Sequence, residues 1–339
     1  MNRQELIDTA RELVASDKGL LAMDESNPTC NKRFAKLGIP VTEETRRTYR
    51  ELIVNTPRLS ECISGAILYD ETVRQKMKDG TPIIRAVINA GIIPGIKVDA
   101  GTKEIPGHPG EKTTEGLEGL QVRLAEYLQM GARFTKWRAV IAIGDDIPSR
   151  ECIESNARIL ARYAVLCQEA GFVPVVEPEV LMDGAHTIER CYEVTVEVLR
   201  TVFSHLQKEQ VLLEGMLLKP NMVLPGLACP RQETVDEVAD ATVRCLLQTV
   251  PASVPGIAFL SGGQSSELAS ARLNAMNARF KAQAPWALSF SFSRAIQQPA
   301  MEIWQGKEAN VPAAQQALFH RAMCNRAARR GEYNAAMER

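Results

Sequence analysis

The chain has 339 residues, 45% hydrophobic and 24% charged, an ordinary globular composition that argues against disorder. Forty Lys+Arg against 41 Asp+Glu leave a net charge of -1, so neither nucleic acid nor an anionic membrane surface is an expected partner. Its apolar stretches fall well short of the ~20 residues a membrane span needs.

The chain opens with MNRQELIDTARELVASDKG, an amphipathic helical pattern in which Leu6, Ile7, Leu13 and Val14 are apolar with charges between them. It has no continuous apolar run and no small-residue cleavage site, so no secretory leader is read and the expected location is cytoplasmic. Short apolar runs bounded by turn signals then recur, each too short for a helix and rich in Val, Ile, Leu and Phe. They lie at 19–26, 64–71, 94–101, 133–140, 172–180, 214–223, 255–263 and 286–294. Helical patterns separate most of them, at 149–170, 187–206, 233–249 and 265–278, and a last one starts at Pro312 and runs to Gly331.

Eight continuous apolar strands alternating with helices imply a parallel sheet covered on both faces. The count of eight selects a closed (β/α)8 TIM barrel, with an extra N-terminal helix and C-terminal helices, over an open doubly wound sheet. Pro174 and Pro178 sit awkwardly for a central strand. No linker or composition shift divides the chain, so residues 1–339 read as one α/β barrel domain with 334–339 as a short tail.

The charges are placed with the same period as the strands. Residues two apart share a face, and five runs end in polar pairs at that spacing: Asp24/Ser26, Lys97/Asp99, Lys136/Arg138, Glu177/Glu179 and Lys219/Asn221. Each continues the phase of the apolar residues before it. If that phase faces the interior, the groups converge at the carboxyl-terminal mouth, where barrel enzymes hold their active sites. Crowding of three lysines with Arg138 is expected to favour a neutral amine, a nucleophile for a carbonyl and a Schiff-base former. Lys219, in the most apolar run, is the best candidate. Glu177 and Glu179 supply carboxylates for acid/base work, and Asp24 is a further base. SGGQS at 261–265 places Ser261 and Gly262 before a helix start, next to Arg294, as an anion site. Ser26, Thr29 and Arg33, with Lys97 and Arg138, form a candidate second site. Two phosphate sites flanking a lysine suggest a bisphosphate or two phosphorylated halves.

The eight cysteines are scattered without a CxxC pair and read as reduced, mostly buried thiols. The four histidines are neither spaced as HExxH nor paired with cysteines, so no metal and no cofactor is expected.

The motifs LLAMDES, GIKVDAG, KWR, VPVVEPE, LLKPNMV, FLSGGQS and FSFSRA, in this order over about residues 15–333, closely resemble those of the class I fructose-1,6-bisphosphate aldolases. The resemblance implies a (β/α)8 barrel, usually a homotetramer, that cleaves the hexose bisphosphate without metal to dihydroxyacetone phosphate and glyceraldehyde 3-phosphate. It implies Lys219 as the Schiff-base lysine and Glu177 as the acid/base, with Glu179 and Lys136 in electrostatic support. Asp24 would orient substrate and assist carbon–carbon cleavage. Ser261, Gly262 and Arg294 would hold the ketose 1-phosphate, with Ser26, Thr29, Arg33, Lys97 and Arg138 on the 6-phosphate side.

Two departures stand out. Ser293 precedes Arg294 where many family members have Gly or Ala, and the sequence ends NAAMER rather than in the tyrosine of members with a flexible tail. Turnover limited at enamine protonation is therefore expected. Other phosphorylated ketoses (sedoheptulose 1,7-bisphosphate, fructose 1-phosphate), a non-catalytic scaffold and a metal-dependent aldolase are the alternatives. The intact set of site residues weighs against the scaffold, and the lack of histidine ligands against the metal enzyme.

Overall fold

The computed structural model describes residues 3–339. In chain order its strands are β1 (Gly19–Ala22), β2 (Ile63–Leu68), β3 (Ile93–Lys97), β4 (Thr102–Ile105), β5 (His108–Thr114), β6 (Phe134–Ile141), β7 (Val173–Val180), β8 (Leu217–Leu218), β9 (Gly256–Phe259) and β10 (Ala287–Phe292). Eight of them close a parallel barrel in the order β1-β10-β9-β8-β7-β6-β3-β2. The remaining two, β4 and β5, form an antiparallel hairpin after β3. Its largely polar residues, exposed or half-buried for the most part, carry no apolar run, which is why strand patterning in the sequence passes over it.

The helical expectations hold to within a few residues, and the reasons lie in their caps. Ser149, Thr187, Thr234 and Ser265 each accept a backbone N–H of the first turn with their side-chain oxygen. At the other end of the chain, helix Val311–Arg330 stops at Gly331, whose φ of +79° is a left-handed conformation that glycine adopts without strain.

The amino-terminal end of the barrel is closed by hydrocarbon. Leu6, Ala10 and Leu13 of helix Arg3–Leu13 pack on Leu20, Ile67, Ile93, Phe134, Val173, Val175, Leu217 and Ala258 in one buried cluster. Glycine makes room for it. A Cβ on Gly95 would lie 2.3 Å from the Phe134 ring, and one on Gly65 would lie 2.7 Å from Leu13.

The prolines of β7 are accommodated by register. The Val173 N–H donates to the Arg133 carbonyl on the β6 side, so the N–H positions of residues 174 and 178 fall on the opposite side, toward β8. There the ladder is only two residues long, and Pro220 ends it. Beyond it, the Asn221 side chain accepts the Val180 N–H at 3.0 Å. This corrects the reading of 214–223 as one strand. It also removes Asn221 from the mouth: its amide donates to Thr195 and to the Met222 carbonyl, a structural task away from the cavity.

Candidate active site

Asp24, Ser26, Thr29, Arg33, Lys97, Lys136, Arg138, Glu177, Glu179, Lys219, Ser261, Gly262 and Arg294 all line one cavity of about 1050 Å3 at the carboxyl-terminal mouth. The strands deliver them by alternation. On β6 the side chains of Phe134, Lys136 and Arg138 rise from the floor to the rim, and on β7 Val173, Val175, Glu177 and Glu179 do the same.

At the centre, Glu177 stands between two amines. Lys219 Nζ is 3.2 Å from Oε1 and Lys136 Nζ is 3.2 Å from Oε2, and all three side chains are buried. The Glu177 Oε2 atom is buried with no donor aimed at it in hydrogen-bond geometry. Lys136 also pairs with Asp24 at 2.7 Å and reaches Asp99 at 3.9 Å. The expected lysine-on-lysine crowding is therefore replaced by alternating charge. Burial alone would favour the neutral Lys136 amine, but Asp24, Glu177 and Asp99 outweigh it and hold Lys136 above the usual ammonium range. Burial likewise pushes Asp24 up, and Lys136 and Lys219 overcome it, leaving that carboxyl below its ordinary value.

Two residues have functions in the site that the sequence reading did not assign. Asp99 accepts from Lys97 at 2.5 Å and from the Arg138 backbone N–H at 3.3 Å, so it ties the ends of β3 and β6 together. Glu25 lies buried between Arg33 at 2.6 Å and Arg50 at 2.7 Å, and it accepts from Ser293 Oγ at 2.6 Å and Gln297 at 2.8 Å. Burial would raise its carboxyl, yet Arg50 and Arg33 hold it far below the carboxylate range. Charge placement hints at Asp99, but Glu25 sits in the opposite strand phase from Asp24 and gave no such hint.

The rim carries the cations. Arg138 pairs with Glu179 at 2.5 Å and Lys97 with Asp99, whereas Arg294 has no carboxylate within ion-pair distance among the described residues. Partial burial and the neighbouring Arg33 and Arg138 lower its pKa from the ordinary value, so an incoming anion would relieve a local excess of positive charge. Gly262 and Gly263 turn in left-handed conformations, φ +56° and +88°, just ahead of helix Ser266–Phe280. Gln264 fixes that turn by donating to the Ser261 carbonyl at 2.9 Å and accepting from Arg272 at 2.8 Å. On the β1 side, Ser26 precedes helix Asn27–Lys36 without capping it and lies 3.1 Å from Thr29 Oγ1. Arg33 donates to Ser293 at 3.3 Å, which places it between the two anion sets rather than with the second alone.

Tyr333 is not at the mouth. Its hydroxyl donates to Glu338 at 2.6 Å, in the short turn Ala335–Glu338 that follows the last long helix. No helix among the described residues is long and apolar enough to cross a membrane.

An eight-stranded parallel barrel with buried lysines among carboxylates and helix N-termini at its mouth has the build of a barrel enzyme for an anionic substrate. A family model described as fructose-bisphosphate aldolase class-I matches residues 5–339. The probable fructose-bisphosphate aldolase class 1 of Xanthomonas campestris pv. campestris is 54% identical over 98% of this chain and 99% of its own length. The cytosolic fructose-bisphosphate aldolase 6 of Arabidopsis thaliana is 51% identical over 97% and 91%. The fructose-bisphosphate aldolase of Plasmodium falciparum, solved with TRAP and a small-molecule inhibitor, superposes with a TM-score of 0.96 at 48% identity, covering 98% of this chain and 96% of that one. The chain belongs to the class I fructose-bisphosphate aldolase family.

Proposed function

We propose that this chain reversibly cleaves fructose 1,6-bisphosphate to dihydroxyacetone phosphate and glyceraldehyde 3-phosphate, in glycolysis and its reversal, through an imine on Lys219. The observation that carries the reading is Glu177, held 3.2 Å from both Lys219 and Lys136 with one oxygen free of any directed donor.

The Lys219 ammonium passes a proton to Glu177, the freed amine adds to the ketose C2 carbonyl, and Glu177 returns that proton to the carbinolamine hydroxyl, which leaves as water. The resulting carboxylate takes the proton of the 4-hydroxyl. The C3–C4 bonding pair flows into the iminium as an enamine, and the aldehyde half departs. Protonation of the enamine at C3 and hydrolysis of the imine release the second product and restore the amine. Lys136 keeps positive charge beside Glu177 throughout, and Asp24 orients the substrate hydroxyls. Ser261, Gly262 and Arg294 bind one phosphate; Ser26, Thr29, Lys97 and Arg138 bind the other, with Arg33 between.

We further infer a homotetramer by resemblance to the family, and a cytoplasmic location as in the name of the Arabidopsis relative. A coupled cleavage assay in excess chelator tests the chemistry. Full activity on fructose 1,6-bisphosphate is expected, and activity that needs an added divalent metal would refute it.

A further inference from the structure

A second chemical cluster lies on the last long helix, and none of its residues lines the mouth cavity. His320 and Cys324 are four apart on helix Val311–Arg330, so they share a face one turn from each other. This pair corrects the expectation that no histidine is paired with a cysteine; the third member, Glu338, comes from the turn Ala335–Glu338 and is brought near only by the fold. The ligand-type atoms of the three residues lie within 4.8 Å of one another.

The geometry points to a zinc-type transition-metal site that pins the C-terminal turn to this helix, with His320 Nε2, Cys324 Sγ and a Glu338 oxygen as ligands. Nε2 and Sγ are 3.6 Å apart. A tetrahedral Zn2+ with Zn–N about 2.0 Å and Zn–S about 2.3 Å sets its N and S ligands roughly 3.5 Å apart, so this edge is already in place. A mixed imidazole, thiolate and carboxylate set is a borderline donor set that favours Zn2+ or Co2+ over Mg2+ or Ca2+. Supporting groups surround the carboxylate as they do in built metal sites. Arg321 Nη1 donates to both Glu338 oxygens and the Tyr333 hydroxyl donates to Oε1, and Arg321 is itself anchored on the Ser266 carbonyl at 2.9 Å. Three protein ligands leave a fourth position for water. On binding, the Cys324 S–H bond breaks, an S–metal bond forms, and the proton goes to solvent.

The test is a Co2+ titration of tag-free, chelator-stripped protein, followed by displacement with Zn2+. The site predicts one Co2+ per chain with a thiolate-to-metal charge-transfer band that Zn2+ abolishes. Cys324→Ser removes the band, and His320→Ala or Glu338→Gln weakens binding by about 10-fold or more. Cleavage activity stays unchanged in these variants. Hydrogen exchange of residues 334–338 slows when Zn2+ is added to the parent protein. If Cys324→Ser does not fold, Cys324→Ala reads the same loss. The absence of a charge-transfer band, a band that survives replacement of Cys324, or equal affinity in the His320 variant overturns the assignment.

Discussion

The two ends of this barrel are built from the same strands with opposite chemistry. On β6, Phe134 is fully buried in the hydrocarbon floor beneath helix Arg3–Leu13, and Lys136, two residues on and facing the same way, sits among three carboxylates. On β7 the change falls between Val175 and Glu177. The floor gains stability from apolar burial and close packing, which needs no partner of defined charge. The mouth carries buried charges that are tolerable only because each has an opposite one beside it. A barrel can hold such a mouth because its other end supplies the stability.

Substitutions that damage one end and spare the other break this comparison most sharply. Lys219→Met is expected to lower kcat by more than about 10^4-fold, the scale on which loss of a nucleophile is felt, with the thermal transition nearly kept. Steady-state cleavage rates and a melting curve check both halves; a loss under 100-fold would take the imine away from Lys219. Phe134→Ala should do the reverse and cost about 3–5 kcal/mol in urea unfolding, while kcat of the folded fraction stays within twofold of the parent. A stability loss under 1 kcal/mol would mean that the floor is not the anchor.

Gly263→Ala falls between the two. Its φ of +88° disfavours a side chain, and the added Cβ would sit 3.1 Å from Arg294 Nη2. Left-handed strain of about 1–2 kcal/mol and a displaced Arg294 should raise KM roughly 10-fold with a smaller change in kcat. An unchanged KM would move phosphate binding away from this turn.

The smallest effect is in pH. Because Asp24 is held below its ordinary pKa, its contribution to stability is present above about pH 4 and is lost as pH falls through the folded value. Lys136 is held above its ordinary pKa, so its contribution is present below about pH 10 and is lost as pH rises through the folded value. Urea midpoints of Asp24→Asn should therefore fall less steeply with acid than those of the parent. Parallel acid limbs would place Asp24 outside the charge network.

Much of this was legible in the sequence because a strand has a period of two. Hydrophobic phase that switches to charge without shifting register is enough to name Lys136, Glu177 and Lys219 from the sequence. The glycine turn at 261–265 was legible for a similar reason, since it lies between a strand and a capped helix. What was hidden depends on contacts between distant segments. Asn221 continues the Lys219 phase, yet past the end of the short β8 ladder the Val180 N–H of β7 draws its side chain into the wall. Glu25 shows its purpose only when Arg50 and Ser293, from far along the chain, close on it. The lysines looked mutually repulsive because the local sequence does not reveal how Asp24, Asp99 and Glu177 separate them.

The central claim is that Lys219 forms the imine within a paired-charge mouth. Borohydride reduction in the presence of dihydroxyacetone phosphate, followed by peptide mass mapping, tests it directly. A single reduced adduct on Lys219 is expected; an adduct on Lys136 or Lys97, or none at all, would contradict an imine at Lys219.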